Sequence, residues 1–411
     1  MKSLKFDAVY RFFLLLLVSI WLVLPHFTHI FISLFGLVVI YGIFKKYLIF
    51  KINYILLGFA ILYLIYFAYC FPEWLSKISK ENYEFKLSYL IFPFIFSFLP
   101  KEGLNRNRVY IQFISFVFIL SLYCIVQAMI MYGSGTGLGA FYSSSFSPLH
   151  HPTYFAAFIS LAVFMLLEIM KDLDSKWLRF GIIMLIVYFG ILHLPLGSLS
   201  GMLVYLFLLG FVLIKWSIKS LKPKLRILFF FVIGACITIF ATTQGSLTAN
   251  IKNTGNFIVE YINDPSEFVK TRPAIMQGNE ARLVVWTVTG EIIKEHPLGL
   301  GVNHLQNKMY EKLKKYGKDD LAALRYNPHN QFLQTAGETG IIGLIFFLLI
   351  LFYGSYQAYV QKNWILVFIF ISLALNCLFE SMLQRQSGIV FYTMWIAILS
   401  SGLLISKKEL T

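Results

Sequence analysis

Long apolar runs, separated by short polar segments, recur along almost the whole chain. Twelve of these runs are candidate membrane spans: 10–25, 28–44, 53–71, 86–100, 109–131, 153–170, 179–195, 199–216, 226–243, 336–359, 364–381 and 388–405. Because hydrocarbon offers the backbone no hydrogen-bond partners, each run should satisfy its own polar groups as a helix. The pattern predicts an all-α, polytopic membrane protein with about 12 transmembrane helices, of which the fourth is short.

The composition places the chain in the same class. Hydrophobic residues make up 58% of the 411 residues and charged residues only 13%, whereas about a quarter of a soluble domain is charged. The first apolar run, VYRFFLLLLVSIWLVLPHF, lacks a small-residue cleavage site, which predicts a retained first helix rather than a signal peptide. The four cysteines lie singly inside apolar runs, without metal-type spacing, and are interpreted as packing residues.

Basic residues are unevenly distributed across this arrangement. With the N-terminus in the cytoplasm, more than half of the 35 Lys and Arg residues fall in inner loops and tails. The short outer loops hold only Lys77, Lys80, Lys86 and Arg385. This asymmetry follows the positive-inside rule and predicts that both termini are cytoplasmic. Most of the net charge of +15 then lies on cytoplasmic loops and tails, where it reflects the orientation of the spans. A nucleic-acid partner is not expected, because the sequence has no basic face with interleaved aromatic residues that could stack on bases.

One long polar segment, residues 244–335, separates the ninth and tenth spans on the outer side. Its 11 basic and 9 acidic residues nearly balance. Two stretches within it, 280–296 and 305–317, have the spacing of amphipathic helices. We therefore expect three regions: spans 1–9 over residues 1–243, a helical extramembrane domain over 244–335, and spans 10–12 over 336–411.

A compact polar cluster, NPHNQFLQTAGETGIIG, lies at the start of the tenth span. The residues of interest in it are His329, Asn330, Gln331, Gly340 and Gly343. One interpretation is a reactive site, because neutral histidine is a suitable base near pH 7. The other is a helix entry whose amides cap unpaired backbone N–H groups. The two glycines would let another helix or a lipid approach closely.

Three arginines of the long polar segment are candidate anion ligands: Arg272, Arg282 and Arg325. Trp286 follows Arg282 by four residues, and Arg325 precedes His329 by four. A guanidinium presents a planar fork that suits phosphate oxygens. The alternative is that these are solvated side chains on an outer helix. A metal site is not expected, because the adjacent His150 and His151 stand without a carboxylate or cysteine cluster.

Two motifs in this order resemble the bacterial O-antigen ligases and O-antigen polymerases. The ligase signature is a histidine, then Asn, Ser or Gln, nine residues, glycine, two residues, and Gly, Thr or Tyr. His329-Asn330, Gly340 and Gly343 satisfy it here. The second motif is an arginine-to-tryptophan helix followed by a Pro-Leu-Gly stretch, here ARLVVWTVTGEIIKEHPLGLG at 281–301. The motifs cover the later half of the chain, and the first half resembles the family only in the layout of its spans, with a large periplasmic loop after the ninth.

The resemblance implies an enzyme of the bacterial inner membrane that acts in lipopolysaccharide biosynthesis with a periplasmic active site. Such enzymes transfer a glycan from undecaprenyl diphosphate to an acceptor hydroxyl and need no cofactor or metal. The expected partners are the lipid-linked glycan, a lipid A–core or other glycan acceptor, and the lipid bilayer. Ligase, polymerase and protein O-oligosaccharyltransferase remain open, with ligase preferred. A polysaccharide transporter is the distant alternative, since the sequence has no paired half-repeats with midplane charges.

The resemblance and the chemistry together suggest a role for each candidate residue. His329 would be the base that accepts the acceptor's hydroxyl proton, with inversion at the anomeric carbon, and Arg282 would stabilise the departing diphosphate. The expected substrate-binding residues are Arg325, Arg272, Asn330, Gln331, Gly340 and Gly343, with an amide orienting the base and the glycines facing the polyprenyl tail.

One stretch departs from the family pattern. Where relatives often have a Ser-Arg pair before the large loop, LPLGSLSGMLVYL (194–206) has Ser198, Ser200 and Gly201 but no arginine. If that arginine holds the diphosphate in relatives, another cation must do so here. Arg272 and Arg325 are the candidates in the sequence.

Overall fold

The computed structural model describes residues 2–70, 84–220, 222, 225, 255–273 and 278–405. Almost all regular structure in these ranges is helical, which confirms the predicted all-α class. Five of the described helical segments are long and apolar enough to cross a membrane: Pro25–Phe44, Arg106–Phe141, Pro152–Lys171, Lys176–Leu196 and Gln331–Val360. Shorter apolar helices accompany them. The protein is therefore a multi-pass membrane protein, as the apolar runs predicted.

The helices before the long polar segment follow the predicted spans. They are α1 (Lys2–Ser19), α2 (Thr28–Phe44), α3 (Tyr54–Cys70), α4 (Ser88–Phe96), α5 (Arg106–Met131), α6 (Pro152–Lys171), α7 (Lys176–Ile191) and α8 (Leu199–Ser220). Short helical turns lie at Ile20–Leu22, Pro25–Phe27, Tyr132–Thr136, Gly137–Phe141, Ser143–Phe146 and His193–Leu196. α4 has nine residues, in agreement with the short fourth run. The ninth predicted span, 226–243, lies outside the described residues.

The later helices begin in the long polar segment. Residues 255–263 are helical, and α9 (Pro265–Thr271), α10 (Gly278–Glu295), α11 (Val302–Lys315) and α12 (Asp319–Ala323) follow. Next come α13 (Gln331–Val360), α14 (Trp364–Phe379) and α15 (Gln386–Ser400). These last three helices match the predicted spans 10–12.

Two short, two-stranded sheets join segments that lie outside the helices. β1 (Leu48–Phe50) pairs antiparallel with β2 (Phe98–Pro100), with Leu48 opposite Pro100. β3 (Leu104–Asn105) pairs parallel with β4 (Leu404–Ile405). These strands are too short to change the fold class, but the second pair ties the start of α5 to the C-terminal region.

The chain divides into two compact units. The first contains Met1–Tyr205 and Gly343–Thr411, and the second contains Leu206–Ile342. The predicted boundary at residues 243 and 244 lies outside the described residues and stays a prediction. The predicted start of the tenth span, residue 336, falls inside α13, which begins five residues earlier.

The first unit packs around α6, which is buried along most of its length. Phe158 of α6 contacts Trp21 and Phe391, with ring centroids 5.2 and 4.7 Å apart. Large apolar side chains on α2, α5 and α7 point outward instead, among them Leu37, Ile130 and Phe180. An apolar exterior of this kind is stable in lipid and costly in water.

The second unit has a hydrophobic core of its own, formed by α9 to α12. Its buried members are Phe268, Val269, Ala281, Leu283, Val284, Val285, Val288, Ile292, Leu305, Met309, Leu313, Leu321 and Ala322. A charged network joins α10 to α11 at the edge of this core: Lys312 Nζ lies 3.1 Å from Glu291 and 2.6 Å from Glu295. Tyr316 also donates a hydrogen bond to Glu291 over 2.8 Å. The described part of the long polar segment is therefore a folded helical domain.

Candidate active site

His329 lies in a short loop, residues 324–330, between α12 and α13, which we call the His329 loop. Its backbone is unusual, because Arg325 has φ 51° and His329 has φ 44°. Residues other than glycine seldom adopt this left-handed conformation, which persists where the surrounding structure enforces it. Asn327 provides one such restraint, since its Oδ1 accepts a hydrogen bond of 2.8 Å from the His329 backbone N–H. The strain therefore lies at the predicted catalytic residue.

Side chains from two helices hold the His329 loop. The indole Nε1 of Trp286 on α10 donates a 2.8 Å hydrogen bond to the carbonyl of Pro328. Gln306 on α11 donates one of 2.9 Å to the carbonyl of Tyr326. The ring of Tyr326 in turn lies 5.0 Å from the ring of His329. The loop is thereby attached to the core of the second unit at both ends of the 326–328 turn.

Arg282 lies on the same helix as Trp286, one turn closer to the N-terminus. Residues four apart are neighbours on a helix surface, separated by about 6 Å along the axis. Because Trp286 contacts the residue that precedes His329, the two predicted catalytic residues belong to one local region of the second unit. The Arg282 side chain is half-buried. Among the described residues, none forms a hydrogen bond or an ion pair with its guanidinium, which leaves it available to an anionic substrate.

Arg272, by contrast, is committed to protein contacts. Its guanidinium forms ion pairs with Glu260 and, over 3.2 Å, with Glu280. It also lies over the ring of Phe268, 4.5 Å from the centroid. Lys318 donates a hydrogen bond to the Arg272 carbonyl, and burial together with the Arg272 charge lowers the pKa of Lys318. An arginine neutralised by two carboxylates is poorly placed to bind phosphate, so these contacts favour a structural role.

Replacing Arg272 by glutamine is expected to destabilise the protein while leaving the turnover of the folded enzyme unchanged. The substitution removes charge-assisted hydrogen bonds to two carboxylates, which should cost about 2 kcal/mol. Thermal unfolding and glycan transfer would be measured on the same preparation. Lys270→Gln is the matched control, because Lys270 is 62% exposed and its ion pair with Glu267 is long at 3.9 Å. A fall in turnover without a loss of stability would instead make Arg272 a substrate ligand.

Arg325 is the more accessible of the two additional arginines. Its side chain is exposed, and it forms no hydrogen bond or ion pair with another described residue. Burial raises the pKa of the Tyr310 phenol, and Arg325 lies close enough for its positive charge to oppose that increase. Arg272 and Arg325 are the two candidates to replace the arginine of the Ser-Arg pair that this chain lacks. Of these, Arg325 is the one whose guanidinium remains available.

The amides around His329 support the helix entry. Asn330 Oδ1 accepts hydrogen bonds from the backbone N–H groups of Phe332 and Leu333, at 2.9 and 3.1 Å, and so caps α13. Gln331 is fully buried and donates to the Thr335 hydroxyl over 3.2 Å. The capping interpretation thus holds for Asn330. A role of Asn330 or Gln331 in orienting the His329 ring stays a prediction.

Gly340 interrupts α13. Its φ of 68° and ψ of −171° are accessible almost only to glycine. In an uninterrupted helix, the N–H of Ile341 would bond to the carbonyl of Gly337. The turn at Gly340 directs that N–H to the carbonyl of Pro297 instead.

The stretch that follows α10, residues 297–301, fills this interruption, and we call it the Pro-Leu-Gly segment. Three backbone hydrogen bonds of 2.9 Å join the two: Leu300 N–H to Gly337 O, Gly301 N–H to Glu338 O, and Ile341 N–H to Pro297 O. A Cβ atom on Gly340 would lie 2.5 Å from the carbonyl oxygen of Leu298. The two sequence motifs are therefore bound directly to each other through backbone groups.

This contact changes the interpretation of the signature glycines. The sequence suggested that a helix or a lipid approaches Gly340, but the backbone of Leu298 and Gly299 occupies that space in the structure. Gly343 lies three residues beyond the interruption and is buried. Its predicted contact with a polyprenyl tail stays a prediction.

Replacing Gly340 by alanine is expected to destabilise the protein by about 3 kcal/mol or more, because the new Cβ meets backbone atoms and the φ/ψ pair excludes other residues. The melting temperature of the purified protein would report the loss. Gly290→Ala is the control, since Gly290 lies inside α10 and a Cβ there would meet no atom within 4 Å. It should be neutral or slightly stabilising. Equal melting temperatures for the two variants would contradict the proposed contact.

The stretch without the family's arginine lies in the first unit. Ser198 donates a 3.0 Å hydrogen bond to the Thr153 hydroxyl and accepts one of 3.2 Å from the Gly201 N–H. Ser198 and Ser200 are both buried. Ser198 thus supports the start of α8, and residues 194–206 contain no cation.

His150 is also occupied by protein contacts. Its Nε2 lies 2.8 Å from the Leu22 carbonyl and its Nδ1 lies 2.9 Å from the Ser387 hydroxyl. A carbonyl only accepts, so Nε2 carries the proton and Nδ1 accepts from Ser387. Within the part of the chain that the structure describes, no three His, Cys, Asp or Glu side chains group as metal ligands.

Sequence reasoning missed three residues that build this region: Trp286, Gln306 and Asn327. Trp286 was visible only as part of a motif, Asn327 only as a member of the polar cluster, and Gln306 carried no signal. Trp286 and Gln306 bind the backbone of a loop that is distant from them in sequence. Asn327 binds the backbone N–H of His329, whose conformation is rare.

Comparison with known proteins agrees with both motifs. Residues 184–348, about two fifths of the chain, match the family model described as O-antigen ligase. This region includes the Arg282 helix, the Pro-Leu-Gly segment, the His329 loop and the interruption at Gly340. The comparison with curated proteins finds no match. The matched region, together with the membrane helices around it, supports an assignment to the O-antigen ligase and polymerase family.

Proposed function

We propose that the protein is an O-antigen ligase that transfers a glycan from undecaprenyl diphosphate to a hydroxyl of lipid A–core. The transfer would occur at the periplasmic face of the bacterial inner membrane, with both chain termini in the cytoplasm. The observation that carries the proposal is the attachment of the Arg282 helix to the His329 loop through Trp286 and Pro328. This attachment supports a site that contains both His329, the proposed base, and Arg282, the proposed cation.

The proposed reaction is a single displacement. A ring nitrogen of His329 accepts the proton of the acceptor hydroxyl as that oxygen attacks the anomeric carbon. The bond from the anomeric carbon to the diphosphate oxygen breaks, and its electron pair leaves with undecaprenyl diphosphate. Attack from the face opposite the leaving group inverts the anomeric carbon. The products are the glycosylated acceptor, undecaprenyl diphosphate and a protonated His329, which returns its proton to water.

The charge that needs stabilisation develops on the diphosphate. We assign this role to Arg282, because a preorganised cation lowers the barrier where negative charge appears in the transition state. Arg325, which is exposed and four residues before His329, is the proposed second cation. A diphosphate is already a good leaving group, so the proposed chemistry requires neither a strong general acid nor a metal ion.

The experiment is transfer by purified protein in detergent, with an undecaprenyl-diphosphate glycan as donor. One reaction contains lipid A–core, a second contains donor alone, and a third contains an acceptor polypeptide. Product on lipid A–core with the inverted linkage is expected. Lengthening of the donor glycan without lipid A–core would make the protein a polymerase, and product on the polypeptide would make it a protein O-oligosaccharyltransferase. Absence of any transfer would contradict the whole proposal.

A further inference from the structure

The peptide group between Pro328 and His329 is held at both of its polar atoms. Its carbonyl oxygen accepts the 2.8 Å hydrogen bond from Trp286 Nε1. Its N–H, which belongs to His329, donates the 2.8 Å hydrogen bond to Asn327 Oδ1. A peptide group is planar, so two such contacts determine its orientation. Together with the start of α13, which Asn330 caps, that orientation constrains φ of His329, which is the left-handed 44°.

The two contacts differ in origin. Asn327 is in the His329 loop itself and moves with it. Trp286 is on α10, where it packs against the hydrophobic core of the second unit. Its indole N–H is therefore a rigid point outside the loop. It is also one helical turn from Arg282, so the same helix that presents the guanidinium determines where the His329 backbone lies.

We propose that Trp286 is a positioning residue that acts through His329, by holding the Pro328 carbonyl so that the imidazole faces the acceptor hydroxyl. The proposal rests on the proposed function, in which His329 is the base. Trp286 itself touches neither substrate nor reacting atoms. A small displacement of a base slows proton transfer strongly, because reaction requires close and directed contact.

The direct test is Trp286→Phe, which keeps an aromatic ring against the core and removes the indole N–H together with part of the ring volume. Turnover is expected to fall about tenfold while KM for the lipid-linked donor stays within about twofold of the parent value. Trp177→Phe is the matched control, because Trp177 is 84% exposed at the start of α7 and should be silent. Parent-like turnover of Trp286→Phe would overturn the proposal, as would an increase in donor KM at unchanged turnover.

A double-mutant cycle separates positioning from general support of the fold. If Trp286 acts through His329, Trp286→Phe should have no further effect on the residual activity of His329→Asn. Independent, multiplicative losses would overturn the proposal. The single variant His329→Asn tests the proposed function separately. If it alone has parent-like activity, His329 is not the base, whatever the cycle shows for Trp286.

Hydrogen exchange tests the same contact without activity. Peptides that cover residues 325–331 should exchange faster in Trp286→Phe than in the parent protein or in Trp177→Phe. Peptides from the core of α10 should change much less, since the phenyl ring keeps most of the apolar contact with the core. Unchanged exchange at 325–331 would show that the indole N–H does not hold the loop and would overturn the proposal.

Discussion

Replacing His329 by asparagine is expected to lower the turnover of glycan transfer by about 10²–10⁴-fold, the contribution typical of a positioned general base. Asparagine is chosen because it tolerates the left-handed backbone that His329 adopts at φ 44°. Alanine would add backbone strain to the loss of the imidazole. The asparagine variant should therefore retain the parent melting temperature, and the loss should appear in turnover rather than in donor KM. Both constants would be measured with the undecaprenyl-diphosphate glycan and lipid A–core.

A second histidine provides the control for this result. His26 is exposed in the short turn Pro25–Phe27, so His26→Asn should leave transfer unchanged. The base assignment fails if His329→Asn and His26→Asn are equally active. If His329→Asn unfolds at a much lower temperature than the parent, His329 is a structural residue instead.

Replacing Arg282 by alanine is expected to lower kcat/KM for the lipid-linked donor by about 10²–10³-fold, as for other preorganised groups that stabilise a developing anion. Stability should change little, because no described residue depends on the Arg282 guanidinium for a hydrogen bond or an ion pair. Arg282→Lys should recover part of the activity, since the charge returns without the planar fork. The rates would be compared at several donor concentrations to separate binding from turnover.

Lys294 offers a control on the same helix. It is an exposed cation near the C-terminal end of α10, three turns from Arg282. Lys294→Ala removes one positive charge from the same unit and should leave transfer unchanged. Equal activity of the two alanine variants would remove Arg282 from the proposed site.

The helical membrane architecture was predictable from the sequence because lipid imposes a strong and local rule. Each apolar run must form its own hydrogen bonds, so α2, α3 and α6 begin within a residue or two of their predicted positions. The early start of one helix has a local cause. α13 begins five residues before its predicted span because Asn330 caps it, and its first turns are buried yet polar, with Gln331, Gln334 and Glu338 all less than 5% exposed.

The candidate site was only partly predictable. Histidine and arginine in recognisable motifs identified His329 and Arg282, because their chemistry is a property of the side chain. Arg272 and Arg325 were equivalent candidates at the level of sequence, since both are arginines in one polar segment. Only the fold brings Glu260 and Glu280 to Arg272 and leaves Arg325 exposed.

The sequence alone determined the class of the protein, the order of its spans and the residue types able to perform the proposed chemistry, because hydropathy and side-chain chemistry are carried by individual positions. The tertiary structure decided how the two motifs meet. The Gly340 interruption receives the Pro-Leu-Gly segment, and Trp286 holds the Pro328–His329 peptide, through contacts that span about 40 residues of chain. Backbone carbonyls accept these bonds, and every residue has a carbonyl, so spacing and residue type offered no means of selecting the pairs in advance.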